Sequence, residues 1–502
     1  MNKTIYSAAV IGLEAELVTV EADAGGGELG HFTIVGLPDA AVSEARERVR
    51  SALKNSGFQF PRRKVVVNLA PADLKKRGPG YDLPIAVSIL ALRPDFVPDV
   101  SQSLFVGELS LGGEVRPVGG VLSVALKARS LGFKKLYVSV LNAAEAGLVP
   151  GLEIIPLGDL RQLSAYWRGR LKLKAEPPAY KFVNDISEVD LIYIKGQEQA
   201  KRALEIAAAG GHNLLFFGPP GSGKTLLAKA LPSILPDLSL EEALEITRIY
   251  SVSGMLPAGQ PLVTSRPFRA PHHGSSSAAL VGGGSWPKPG EISLAHRGVL
   301  FLDEFPEFPR IVLESLRQPL ESGEVHVSRA AGRLRFPAKF ILAAAMNPCP
   351  CGYYGDRVSQ CSCSPKDIGR YRQRISGPLL DRIDLQVEVP RFDWQKFSAA
   401  ADGESSADVK QRVAAAREKQ NRRLEGTGCF SNAEMNPVLM RRFCRLDKAS
   451  ETFLRQAAER LGFSARTYFR VLKLARTIAD LADSPEILAA HAAEALQYRP
   501  KQ

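Results

Sequence analysis

A chain of 502 residues, 45% hydrophobic and 24% charged, has the balance of a folded globular protein with room for about three domains, which excludes a fibrous or broadly disordered chain. The formal net charge of +12 favours a polyanionic partner, nucleic acid foremost. Six cysteines in this length make no disulfide scaffold, and no run approaches the roughly 18 apolar residues of a membrane span.

At the start of the chain the apolar stretch is broken by Glu14 and Glu16, so no signal peptide is expected and the protein is read as cytoplasmic, without a membrane partner. Residues 65–69 and 135–140 have the short β-rich composition of strands. Between 39 and 55, Val42, Ala45, Val49, Ala52 and Leu53 recur at helical spacing with Glu and Arg opposite, and Gly57 ends the run. The pattern predicts a mixed α/β domain over 1–168. The charged, Pro-containing stretch RGRLKLKAEPP begins at 168, and 169–186 is read as a linker. A second α/β domain is expected over 187–395 and a helical, basic one over 396–502. Between 410 and 478 stand sixteen Lys and Arg against six Asp and Glu, which fits a nucleic-acid face or simply a solvated helical surface.

The second domain carries the clearest chemistry. Residues 213–217 read NLLFF, a short apolar strand; GPPGSGKT follows at 218–225, and LLAKAL opens a helix. Strand, glycine loop and helix in that order are the setting in which G-x-x-x-x-G-K-[ST] binds phosphates. Gly218, Gly221 and Gly223 let the backbone curl, so that the N–H groups of the loop, with Pro219, Pro220 and Ser222 between them, face phosphate oxygens. Lys224 adds a full charge and Thr225 a hydroxyl for Mg²⁺. Downstream, GVLFL at 298–302 runs into Asp303 and Glu304, expected to complete the Mg²⁺ shell and to activate the attacking water of ATP hydrolysis. A further apolar run, FILAAA at 340–345, leads to Asn347, placed to touch the γ-phosphate or that water.

Four of the six cysteines, Cys349, Cys351, Cys361 and Cys363, follow Asn347 within fifteen residues. Clustered thiols in a reducing compartment suit tetrahedral Zn²⁺ more than disulfides, although the C-x-C spacing is tighter than a C-x₂-C knuckle, and a reduced metal-free loop stays open as the alternative.

These motifs resemble AAA+ ATPases, in particular the branch shared by magnesium chelatase motor subunits and MCM helicases. The resemblance extends end to end to the ComM/YifB family, through HFTIVGLPDAAVSEARERVRSALKNSGF at 31–58, VNLAPADL at 67–74, FVGELSLGGEVRPVGGV at 105–121, FRAPHHGSSSAALVGGG at 268–284, GEISLAHRGVLFLDE at 290–304 and RISGPLLDRIDL at 374–385. It implies an AAA+ core between a Lon-protease-like first domain of the ribosomal S5 domain 2-like fold and a helical lid. It also implies a homo-hexamer that drives branch migration of DNA junctions, acting on single-stranded and branched DNA beside a recombinase. The resemblance further assigns 190–197, with Ile194 and Gln197, to adenine; Arg382, with Arg374 as second choice, to an arginine finger acting on a neighbouring subunit; and Arg466 to a second γ-phosphate sensor. Arg329 and Arg333, in two short strands around Ala-Ala-Gly, fall where related helicases point a hairpin at DNA. Residues 268–289, too rich in Gly and Ser for a core element, resemble the helix-2 insertion, with His272 and His273 as loop contacts rather than metal ligands.

Two other classes compete. A Lon-like protease would need a Ser-Lys dyad, but Gly80 stands at the serine position and Val121 and Leu122 where the lysine would follow. A metal-chelatase ATPase subunit would need separate partner subunits.

Overall fold

Val65, Val67 and Leu69 are buried and the residues between them are half-buried, the alternation of a strand with one face on a core. The computed structural model describes residues 4–26, 31–93, 98–176, 189–257, 259–284, 287–329, 332–356, 358–391 and 403–499. By its contacts the chain forms two units, 1–181 with 240–264, and 182–239 with 265–502.

In the first unit seven strands make one mixed sheet: β1 (Ile5–Ile11), β2 (Glu14–Gly25), β3 (Phe32–Val35), β4 (Lys64–Ala70), β5 (Ser103–Phe105), β6 (Lys135–Ser139) and β7 (Glu153–Leu157), in spatial order β3-β4-β2-β1-β5-β6-β7. The expected helix is Ala40–Asn55, opened by the Asp39 side chain accepting from Val42 N–H, and its five apolar positions are all buried. At the absent protease dyad the space is apolar. Val121 and Leu122 lie in the core, and a Cβ on Gly80 would meet Val106 and Val118. Two sequence expectations shift here. The first part of the expected linker packs on this unit, with Ala175 N–H donating to the Ile154 carbonyl of edge strand β7. Residues 240–264, inside the second domain by sequence, also belong to the first unit by contact. The Ser251 hydroxyl of helix Leu240–Ser253 donates to buried Glu145 (2.5 Å) and accepts from Gly120 N–H (2.8 Å). Those polar partners, which a sequence pattern cannot show, join Leu244, packed on the core of this unit, in holding the helix.

The second unit has a five-stranded, all-parallel sheet of β8 (Leu214–Phe217), β9 (Phe268–Arg269), β10 (Val299–Leu302), β13 (Ile341–Met346) and β14 (Leu385–Glu388), in order β9-β10-β13-β8-β14; β11 (Glu324–Arg329) and β12 (Gly332–Pro337) form a separate antiparallel hairpin. Its inner strands β8, β10 and β13 are apolar and almost wholly buried, as in a parallel sheet covered on both faces. The chain is thus a mixed α/β protein with a parallel sheet. Strand β9 corrects the reading of 268–289 as wholly outside the core: Phe268 stacks on Phe301 (centroids 6.0 Å apart), and β9 pairs with β10 at the sheet edge. The helices Ser406–Leu424, Lys448–Arg460, Ala465–Leu481 and Ala489–Gln497 share one hydrophobic cluster with the sheet, through Val409, Val413, Leu454, Leu474 and Ala492 among others. No described helix is long and apolar enough to cross a membrane.

Candidate nucleotide-binding site

Parallel pairing sets the site. Phe217 is level with Met346, and Leu302 with Ala344, so β8, β10 and β13 release their loops at one carboxyl edge, where open α/β sheets bind ligands. The loop 218–223 leaves β8 and enters helix Lys224–Ile234. A Cβ on Gly218 would lie 2.1 Å from the Val389 carbonyl oxygen, so only glycine fits there. Gly221 and Gly223 have φ of +75° and +91°, in the left-handed region. Lys224 is buried, and its Nζ donates to the Gly218 and Pro219 carbonyls (both 2.8 Å) and to Asn347 Oδ1 (3.2 Å). Burial lowers its pKa, against the pull of Asp303. A desolvated ammonium held by neutral carbonyls in a glycine loop at a helix N-terminus is chemically suited to phosphate oxygens. Thr225 Oγ1 donates to Asp303 Oδ2 (2.8 Å), so the hydroxyl and carboxylate expected to share a Mg²⁺ ion are adjacent, and this oxygen donor set fits that metal.

Glu304 follows with φ of +50°, an uncommon conformation for a non-glycine residue that turns its side chain out of the strand direction, and it is exposed. His273 Nδ1 lies 3.2 Å from Glu304 Oε2, and the His272 ring lies 4.0 Å from that of His273. Of the two histidines assigned to loop contact, His273 therefore reaches the carboxylate expected to activate water. Spacing gave no signal of that, because the pair is joined only when β9 lies beside β10. Burial pushes the pKa of nearby Tyr371 up to about 12, against the lowering effect of a backbone hydrogen bond from Asn347.

The other expected residues have contacts of their own. Ile194 is buried in the core cluster, and Gln197, at the N-cap position of helix Glu198–Gly210, donates its side-chain amide to the Pro390 carbonyl (2.9 Å). Arg382 is largely buried, its guanidinium on Glu321 (2.7 Å) and the Pro378 carbonyl (2.6 Å). The Glu321 carboxyl is held below its usual range by that hydrogen bond and charge, with Arg466 and Arg317 contributing. The charge of Arg466, 84 positions on in sequence, thus adds to that of Arg382 at one carboxylate, which sequence reasoning missed. Arg374 is half-exposed and pairs with Glu307 (2.6 Å). Arg329 and Arg333 sit next to the hairpin turn, whose residues 330–331 lie outside the described residues, as do the two arginine side chains.

The four cysteine sulfurs lie within 4.8 Å of one another, with Cys349–Cys351, Cys349–Cys361 and Cys351–Cys361 separated by 3.4, 3.7 and 3.5 Å. Disulfide sulfurs lie about 2.05 Å apart, whereas four thiolates tetrahedrally around Zn²⁺ at about 2.3 Å lie roughly 3.8 Å apart. Part of the C-terminal basic charge is taken up by acceptors of the same unit: Arg412 pairs with Glu205 (2.6 Å) and Glu404, Arg423 and Arg476 both hold Asp480, and Arg417 donates to the Ala208 and Phe430 carbonyls. Arg441, Arg442, Arg455, Arg460 and Arg466 remain exposed.

Three family models match the chain: magnesium chelatase, subunit ChlI over 190–397; subunit ChlI of Mg-chelatase over 20–142; and the magnesium chelatase subunit ChlI C-terminal region over 403–499. Similar proteins include the competence protein ComM of Haemophilus influenzae, 46% identical over 99% of this chain and 97% of its own, and YifB of Escherichia coli, 45% identical over 99% and 96%. The magnesium-chelatase 38 kDa subunit of Rhodobacter capsulatus is 30% identical over 39% of this chain and 54% of its own.

Proposed function

The chain belongs to the ComM/YifB family of magnesium-chelatase-like proteins, and we propose that it is an ATP-driven motor on DNA that promotes branch migration of recombination junctions as a homo-hexamer. The ATPase part is supported by the AAA+-like character of the family and by one observation above all: Lys224 bonds to Asn347, and Thr225 to Asp303, at a single sheet edge. In that arrangement Lys224 and the N–H groups of 218–223 bind the phosphates, and Thr225 and Asp303 hold Mg²⁺, which supplies charge neutralisation when bound. Glu304 takes the proton of the attacking water and Asn347 orients the γ-phosphate. The segment 190–197 is assigned to the adenine side of the pocket through its backbone, since the Ile194 side chain is buried.

The DNA part is supported by the end-to-end similarity to a competence protein and by the charge of +12. Arg329 and Arg333, with His272 and His273, are assigned to DNA, and Arg382 and Arg466 to the nucleotide of a neighbouring subunit. A metal-chelatase ATPase subunit is the second reading, supported by the family models. ATP turnover measured with and without single-stranded and branched DNA separates the two: a DNA motor is stimulated, and a chelatase subunit is indifferent.

A further inference from the structure

We propose that the four-cysteine loop is a zinc clamp that sets the ATP pocket, holding Gly352 against Pro220 of the phosphate loop and Asn347 against Lys224. The proposal rests on the reading of 218–225 as an ATP-binding loop. Its metal part stands on the sulfur geometry above and on two backbone donors: Tyr354 N–H points at Cys349 Sγ (3.3 Å) and Cys351 N–H at Cys363 Sγ (3.4 Å). N–H donors aimed at sulfur stabilise thiolates, the form that binds metal. Cys349, the ligand nearest Asn347, is fully buried.

The clamp part stands on what the loop touches. Cys349 lies two residues after Asn347, whose side chain accepts from Lys224 (3.2 Å). Gly352 directly follows Cys351, has φ of +86°, and donates its N–H to the Cys349 carbonyl (3.0 Å). A Cβ there would sit 2.7 Å from Pro220 Cδ, so the backbone of the cysteine loop lies directly on the phosphate loop. Outside the thiols, Arg372 donates to the Pro348 carbonyl (3.3 Å) and its guanidinium lies 5.1 Å from the Tyr354 ring centre, while Arg391 pairs with Asp356 (2.8 Å). These contacts brace the loop from outside, while the segment from Cys349 to Gly352 is held chiefly through its sulfurs and the Gly352 turn among the described residues. Four thiols this close have only weak mutual hydrogen bonds to hold them. A single metal bonded to all four converts the loop into a rigid body, and its position then fixes both the backbone at Pro220 and the Asn347 side chain.

The test uses the full chain, purified without added metal, with zinc content and the ATP dependence of turnover measured on the same sample. Expected are about one zinc per chain, a KM for ATP raised roughly tenfold after stripping with phenanthroline in excess Mg²⁺, and recovery when Zn²⁺ is returned. Gly352→Ala keeps its zinc yet also raises KM, because the added methyl displaces Pro220. Cys349→Ser with Cys361→Ser loses zinc and matches the stripped protein. A centre that serves only folding lowers the maximal rate by reducing the active fraction, at unchanged KM. That result, an unchanged KM in Gly352→Ala, or an active folded protein without zinc overturns the proposal. Failure of zinc-loaded wild type to hydrolyse ATP overturns instead the nucleotide-site reading beneath it.

Discussion

Lys224 shows how one residue combines burial with charge: its ammonium is out of water, and its bonds to neutral carbonyls and Asn347 compensate only part of that loss. Lys224→Ala is expected to weaken ATP binding at least a hundredfold, about 2.7 kcal/mol, and a nucleotide-binding titration near the wild-type value would remove the assignment of this loop. Glu304→Gln keeps both size and binding but cannot take a proton, so turnover is expected to fall about a hundredfold or more at unchanged ATP affinity. His273, 3.2 Å from Glu304, restrains that carboxylate. His273→Ala is therefore expected to raise DNA-free turnover severalfold, and a slower variant would instead make the histidine an aid to the reaction. The glycines, Lys224, Thr225, Asp303 and Glu304 were legible in the sequence because each pair of motifs is local to a strand and the loop that leaves it. The contacts of Glu321 with Arg382 and of His273 with Glu304 were not, because they join side chains whose separation depends on strand order.

At the scale of elements, the order β9-β10-β13-β8-β14 brings three loops to one edge, while a buried polar network fastens the C-terminal helices to the strands. His212, just before β8, bonds to Asp384 (3.2 Å) and to Thr477 (2.8 Å) of helix Ala465–Leu481. Burial opposes ionisation of Asp384, but the hydrogen bond and charge of His212, together with Arg470 and Arg499, outweigh it and hold the carboxyl down to about 2. A depressed carboxyl stabilises the fold fully above its unfolded value near 3.9, and that contribution is lost as pH falls through the folded value. Asp384→Asn is thus expected to cost about 3 kcal/mol at neutral pH, with the gap in melting temperature closing between about pH 4 and pH 2. A gap independent of pH over that interval would contradict this role. The basic composition of these helices was visible in the sequence, but its use was not. Arg417, Arg423 and Arg476 serve acceptors inside the fold, and only the structure separates them from the exposed Arg441, Arg442, Arg455 and Arg460.

At the scale of the whole molecule, a shared site between subunits makes a prediction that no single subunit makes. Arg382, held by Glu321 in the isolated chain, is proposed to exchange that carboxylate for the γ-phosphate of a neighbour. Arg382→Ala alone is expected to hydrolyse ATP at a few per cent of the normal rate or less, and mixing with Lys224→Ala subunits should restore part of it, since the two defects then fall in different halves of some sites. No recovery at any mixing ratio would place the arginine elsewhere. If ATP turnover moves DNA junctions, the phosphate contacts of such a motor make its binding steeply dependent on salt. The most direct measurement follows three- and four-stranded junctions with ATP and Mg²⁺ at low and moderate salt, comparing wild type with the doubly substituted Arg329→Ala, Arg333→Ala chain. Junction movement and DNA-stimulated hydrolysis are expected of the wild type, and basal hydrolysis without either of the variant. Junctions that stay in place while ATP is consumed at the same rate with and without DNA would contradict it.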